Sequence, residues 1–337
     1  MSQTVKQYQK RFEWPEIGND NLIEFLDRSL FQKKLAQTYI FAGPEDLGKS
    51  TMALAFARNL ILSDRQEVRD FSSVNSDLHI LNREPGKKNI SIEAVRDFIK
   101  MLSLSSFLNS YKIGIIKGAE TLSSEAASAL LKTLEEPRDK VIIILLTSSV
   151  DLLMPTIVSR SQVLYFYPVA FDIIYDYLVK ELNLKRGEAK NMAALAAGRP
   201  LLAVKFAENE ALYNRQLEAA RLFLTFFNLN IPDRLSALAE FLKGEGALNP
   251  DKAAAILEIW QRAARDLALN AVACPELIQH TALSSELDSA GACLSSLNNE
   301  EALRHLCKIL ELLSMLKNYL AANVAPILVL EQVVYNL

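Results

Sequence analysis

Eight consecutive residues have the types and spacing needed to hold a polyphosphate: Gly43-Pro44-Glu45-Asp46-Leu47-Gly48-Lys49-Ser50 fills every fixed position of the pattern G-x-x-x-x-G-K-[ST]. Glycines at 43 and 48 let backbone N–H groups turn inward around phosphate oxygens, and a helix starting there presents its positive dipole end to them. In such a loop Lys49 reaches the β- and γ-phosphates, and the hydroxyl of Ser50, followed by Thr51, is a ligand for the nucleotide's Mg²⁺. Hydrolysis needs more. An acid at the end of a neighbouring strand holds the metal, and a further polar group orients the attacking water. The candidate strand here ends Ile115-Ile116-Lys117-Gly118-Ala119-Glu120. Lys117 cannot ligate a metal while charged, Gly118 has no side chain, and Glu120 stands two positions beyond the water-orienting slot. The expectation is nucleotide binding without efficient turnover.

The flanking sequence supplies the elements that such a loop requires. Tyr39-Ile40-Phe41 is a short apolar run ending at the loop, and Thr51 to Leu60 reads as the helix leaving it. A helix over Asn21 to Leu35 precedes them, and strands are predicted at Leu78–Leu81, Lys112–Ile116, Val141–Leu146 and Val163–Phe166. The middle two are apolar on both faces, as central strands of a helix-covered parallel sheet are. Ser91 is the expected N-cap of a helix to Ser103, with Ile92, Val95, Ile99 and Leu102 on one face and Glu93, Arg96, Asp97 and Lys100 on the other. Another helix covers Ser123 to Glu135. A polar stretch around Ser63 to Ser76 and a turn at Glu84-Pro85-Gly86 separate these segments. Strands alternating with helices predict an α/β doubly wound sheet with the loop at a strand's carboxyl end.

Beyond Phe171 the pattern is purely helical. A small helical lid is expected over 169–208, and an all-helical domain over 209–337, after an α/β domain over 1–168. Turn signals at Ile231-Pro232-Asp233, Gly244-Glu245-Gly246 and Asn249-Pro250 divide the tail. Its last long helix carries Leu303, Leu306, Leu310, Leu313 and Leu320 as a packing stripe.

With 337 residues, half of them hydrophobic, there is apolar material for a core in each domain. A formal net charge of −3 gives no global attraction to nucleic acid, so any such contact needs a local basic patch. Cys274, Cys293 and Cys307 lie far apart with no C-x-x-C pair, which suggests neither zinc nor a disulfide framework. No apolar run approaches the roughly 18 residues of a membrane span, and the first residues carry no apolar signal core. A cytoplasmic location is expected. His79, His280 and His305 fall in no catalytic motif.

Three stretches resemble bacterial clamp-loader subunits of the AAA+ class, the delta-prime type of DNA polymerase III among them. They are GPEDLGKST, YKIGIIKGAETLSSEAASALLKTLEEP from Tyr111 to Pro137, and LLTSSVDLLMPTIVSRSQ from Leu145 to Gln162. The resemblance implies an AAA+ P-loop domain, the helical lid and a helical collar for oligomerisation. It implies ATP or ADP with Mg²⁺ at the loop, and no zinc, because the cysteines that hold zinc in the family are missing. Arg160 falls on the family's Ser-Arg-Cys motif, with Ser161 in place of cysteine, and so corresponds to an arginine finger given to a neighbouring subunit. Thr147 and Arg199 correspond to the family's two sensor positions. The helices of the family that line a chamber for primer-template DNA place Lys87, Lys88, Arg96 and Lys100 as DNA-contact candidates. Glu135-Glu136, at a helix C-terminus whose dipole they oppose, hint at a partner across an interface. The partners implied are gamma/tau and delta subunits, the polymerase III holoenzyme and the sliding clamp. A stator that binds nucleotide without hydrolysing it fits Lys117-Gly118 best. The alternatives are a gamma/tau-like ATPase motor and, from another class, a P-loop small-molecule kinase.

Overall fold

The structure, a computed structural model, describes residues 12–63, 76–84, 86–104, 106, 111–136, 138–244, 247–294, 299–322 and 324–337. Most of the polar stretch after the loop helix, Pro85 of the predicted turn, Pro137, and the Glu245-Gly246 step lie outside these residues. The chain divides into two compact units, Met1–Ile174 with Gly198–Leu202, and Tyr175–Ala197 with Ala203–Leu337. The segment 169–208 therefore contributes to both.

The first unit contains α1 (Asp20–Gln32), β1 (Thr38–Ala42), α2 (Lys49–Ser63), β2 (Leu78–Leu81), α3 (Ile92–Ser103), β3 (Lys112–Lys117), α4 (Ser124–Glu135), β4 (Val141–Thr147), α5 (Pro155–Val158) and β5 (Gln162–Tyr165). The five strands form one parallel sheet in the order β2-β3-β4-β1-β5. This is the expected doubly wound α/β arrangement. Side chains alternate between its two covered faces: Tyr39, Phe41, Ile142, Ile144 and Leu146 join Ile23, Leu26, Phe56 and Leu60 in one core, while Ile40, Ala42, Ile143 and Leu145 join Val95, Phe98, Leu130 and Leu134 in the other. Covered on both sides, β1 and β4 are buried along their whole length, and so they read as unbroken apolar runs. The last strand begins and ends one residue earlier than its apolar pattern predicts. As an edge strand it is largely exposed, so burial leaves only a weak imprint on its sequence.

Ser91 caps α3 as expected, accepting from the backbone N–H of Ala94, and Ser123 caps α4 in the same way. On α3 the buried residues are Val95, Phe98 and Leu102, whereas Ile92 and Ile99 are only half-buried. Phe98 thus replaces Ile99 at the centre of the packing face. Its ring lies on β3 over Gly114, where an added Cβ would come within 2.4 Å of Phe98 Cζ and 2.8 Å of Leu102 Cδ1. Lys112, 5% exposed at the start of β3, donates from Nζ to the carbonyl oxygens of Met101 (2.7 Å) and Leu104 (3.1 Å) and so closes the C-terminus of α3.

The remaining helices are α6 (Phe171–Lys180), α7 (Arg186–Ala196), α8 (Pro200–Glu208), α9 (Glu210–Phe226), α10 (Ile231–Lys243), α11 (Pro250–Ala271), α12 (Ser284–Leu294), α13 (Asn299–Ala321) and α14 (Pro326–Asn336). The predicted turn signals at Pro232 and Pro250 are helix starts, capped by Asn230 and Asn249. Trp260 is the pivot of the second unit's core: it is fully buried, its indole N–H donates to the Ala219 carbonyl at 2.9 Å, and Phe223 and Phe226 pack on it. Leu306, Leu313 and Leu320 from the predicted stripe lie in the same core. Among the described residues no helix is long and apolar enough to cross a membrane.

Two measurements check this packing. Gly114→Ala forces atoms into Phe98 and should cost about 1–3 kcal/mol in urea unfolding. On β2, burial and the nearby Lys112 charge hold the His79 imidazole below the ordinary histidine range, with Asp77 acting the other way. The folded state therefore binds fewer protons than the unfolded chain, so stability is complete above the unfolded histidine value of about 6.5 and falls as pH drops through it. His79→Gln should flatten that part of the stability–pH profile.

Candidate nucleotide site

The predicted phosphate loop links β1 to α2 at the carboxyl edge of the sheet. Gly43 (φ +145°) and Gly48 (φ +91°) both occupy backbone conformations that glycine adopts readily, and Asp46 takes φ +60° between them. Three neighbours fix the path. Gly43 N donates to the Thr147 carbonyl (3.2 Å), Phe166 N to Ala42 O (2.7 Å), and Leu201 N to Asp46 O (3.1 Å). Space is tight as well, since a Cβ on Gly43 would sit 2.5 Å from the Phe166 carbonyl oxygen.

The loop borders a cleft of about 250 Å³, lined by Glu45, Asp46, Gly48, Lys49 and Ser50, by Lys117, Gly118 and Glu120 after β3, by Leu146, Thr147 and Ser148 at the end of β4, and by Leu201. Lys49 folds onto its own loop, donating to the carbonyls of Gly43 and, at 2.5 Å, Pro44. Burial lowers the pKa of this ammonium, and the charges of Glu45, Glu120 and Asp46 oppose the shift. A polyphosphate offers Lys49 stronger, charge-assisted acceptors than the two neutral carbonyls. Leu47 is buried beneath the loop, while Thr51 is exposed on α2.

The candidate sensor Thr147 is 1% exposed and donates its hydroxyl to Ser149 O at 2.8 Å. Arg199 lies in the segment that reaches the loop through Leu201, but it is not among the described residues lining the cleft. Glu120, read from sequence as out of place, does face the cleft. Its Oε1 accepts from the backbone N–H (3.1 Å) and hydroxyl (2.8 Å) of Ser148, and its Oε2 is buried without a hydrogen-bond partner. The Ser148 contact joins two loops 28 residues apart, and no local sequence signal marks it. At the strand ends themselves Lys117 brings a positive charge where an acid would hold a metal, while Ser50 offers a neutral hydroxyl and the carboxylates of Glu45, Asp46 and Glu120 line the rest of the cleft, one Glu120 oxygen being engaged by Ser148.

Arg160 is not in this cleft. It sits beyond α5, 38% exposed, with Nη2 paired to Glu135 Oε1 at 2.9 Å and Nη1 donating to Thr156 O at 3.0 Å. The basic candidates lie on another surface. Arg96, on α3, lines a groove of about 670 Å³ together with Ser124, Ser128 and Lys132 of α4. No local sequence signal joins Lys132 to Arg96, because the two lie on different helices, and Glu125 lines the same groove. Lys88 and Lys100 are exposed, and Lys87 is paired with Glu84 at 2.7 Å. At the two helix starts, backbone N–H groups and then the capping serines lower the Glu93 and Glu125 pKa values. Among the described residues no cluster of three or more His, Cys, Asp or Glu side chains is placed to hold a metal ion.

Residues 18–170 match the family described as DNA polymerase III, delta subunit. The chain is 33% identical over 162 residues to the delta-prime subunit of DNA polymerase III from Haemophilus influenzae, covering 48% of this chain and 49% of that protein. It is 28% identical over 201 residues to the tau subunit from Bacillus subtilis, covering 56% of this chain and 36% of that one. The chain thus spans about half or less of the length of these curated relatives. A solved gamma subunit-related protein of DNA polymerase III from Thermotoga maritima is 21% identical, with a TM-score of 0.43 over 85% of this chain and 97% of that one. If the loop holds a nucleotide through Lys49, calorimetric titration of Lys49→Ala with ATP or ADP should show affinity lowered by at least about tenfold, the loss of one charge-assisted contact.

Proposed function

We propose that this protein is a delta-prime-type stator of the clamp-loader AAA+ class, a reading supported by the match of residues 18–170 to the DNA polymerase III family and by the likeness to delta-prime and tau subunits. It binds ATP or ADP at Gly43–Thr51, hydrolyses it very slowly if at all, and gives Arg160 to the nucleotide site of an adjacent motor subunit. The observation that carries this reading is an intact phosphate loop facing Lys117 and Gly118 across one cleft. The loop supplies binding through backbone N–H groups and Lys49, whereas the strand-end acid used for turnover is absent.

In this reading 1–168 is the nucleotide-binding domain, 169–208 the lid with Arg199 as its sensor, and 209–337 the collar that joins gamma/tau and delta subunits. The assembly works in the cytoplasm within the polymerase III holoenzyme, loading the sliding clamp onto primer-template DNA. Exposed Arg96 and Lys132, with Lys100, Lys87 and Lys88 nearby in sequence, suit phosphate contacts that are insensitive to base sequence. The Arg160–Glu135 pair is compatible with a finger. Both side chains are substantially exposed, and such pairs contribute about 0.2–1 kcal/mol, little enough for a neighbour's γ-phosphate to replace.

The test uses the chain alone and then reconstituted with gamma/tau and delta subunits. Alone, single-turnover hydrolysis should be far slower than about one per second, the lower end of ordinary enzyme turnover. In the assembled loader, Arg160→Ala should substantially lower DNA- and clamp-stimulated ATPase, by about 10³-fold at the adjacent site it serves, while leaving assembly and this chain's own nucleotide affinity unchanged. Full ATPase activity with alanine at 160 would remove the finger role, and fast turnover by the isolated chain would remove the stator reading.

A further inference from the structure

We propose that the cleft binds its nucleotide without a divalent metal, the Lys117 ammonium taking the place of the ion as counter-charge to the phosphates. The inference rests on the nucleotide-binding reading above and specifies its ligand as the metal-free di- or triphosphate. Lys117 is the last residue of β3, paired in register with Leu146 of β4, and it lines the same cleft as Lys49 and Ser50. Strand register places it one residue from Thr147 at the sheet's carboxyl edge. A dication held there by Ser50 and the phosphates would meet a fixed positive charge at close range in a partly buried site, where Coulomb repulsion is weakly screened. A lysine at that position instead donates directly to phosphate oxygens, adding to Lys49 a second cation in a cleft that Glu45, Asp46 and Glu120 also line.

Glu120 fits the same scheme. It is three residues beyond Lys117 and within electrostatic reach of Lys49, with one oxygen fastened to Ser148 and the other buried. With Glu45 and Asp46 it supplies the negative charge that faces the two lysines when no phosphate is bound. The αL turn at Gly118 (φ +64°) brings Glu120 back to the cleft and leaves no acid at the strand end itself.

The full-length chain is titrated calorimetrically with ADP and with ATP, once in excess Mg²⁺ and once in excess EDTA. Wild-type affinity should be the same in both media. Lys117→Gln should weaken binding on the order of tenfold in EDTA and gain nothing from Mg²⁺, as loss of one charged phosphate contact implies. Lys117→Asp should bind poorly in EDTA and recover when Mg²⁺ is added, with thermal unfolding showing that each variant is folded. Wild-type binding that requires Mg²⁺ would overturn the proposal while leaving nucleotide binding intact, the more so if Glu120→Gln abolished that requirement. No binding in either medium would overturn the nucleotide reading itself, and this proposal with it.

Discussion

The phosphate loop depends on the position of β1 between β4 and β5. Parallel pairing sets Ala42 opposite Thr147 on one side and Tyr165 on the other, so the chain leaves the sheet at Gly43 with neighbours already in place. Gly43 N binds the Thr147 carbonyl, and the Phe166 carbonyl lies where a side chain at 43 would have to go. Only a residue without a Cβ passes that point at φ +145°. Central burial of β1 therefore specifies where the loop begins, and the loop specifies where α2 points its N-terminus.

The same register determines which charges meet. β3 and β4 end together, which brings Lys117, Glu120, Thr147 and Ser148 to one edge beside Lys49 and Ser50. In a phosphate site of this architecture the strand-end position ordinarily serves the metal. Here the fold is kept and the sign of that charge is reversed.

Much of this was legible in the sequence, for identifiable reasons. Strands buried on both faces appear as unbroken apolar runs, and glycine and lysine at fixed loop positions have few alternatives. Ser91 and Ser123 mark helix starts because a cap is a local interaction within three residues. Contacts between distant segments left no such trace. The Glu120–Ser148 bond, the Leu201 clamp on Asp46 and the Arg96–Lys132 groove each join residues whose own neighbourhoods look ordinary. Lys112, at the start of β3, is buried because α3 directs its last carbonyls at it, a contact that nothing in its own neighbourhood marks. Phe98 and Ile99 both lie near the apolar stripe of α3, and only the missing side chain at Gly114, on another element, decides between them. The helical tail was legible as helices but not as a packing, since a leucine stripe specifies burial without naming the helix that covers it.

Binding and turnover are separable in a phosphate loop because different groups perform them. Affinity comes largely from backbone N–H groups and one lysine, all in one continuous segment whose shape the sheet enforces. Hydrolysis adds demands on side chains from other strand ends, and each can be lost without disturbing the cradle. A lysine at position 117, the last residue of β3, leaves the strand in register with Leu146 of β4. The opposite order of loss is harder: a side chain at Gly43 collides with Phe166 and disturbs the sheet itself. The phosphate cradle is therefore physically independent of the groups that hydrolysis needs, and the cost of keeping it is low because the same glycine, strand register and helix start also hold the fold.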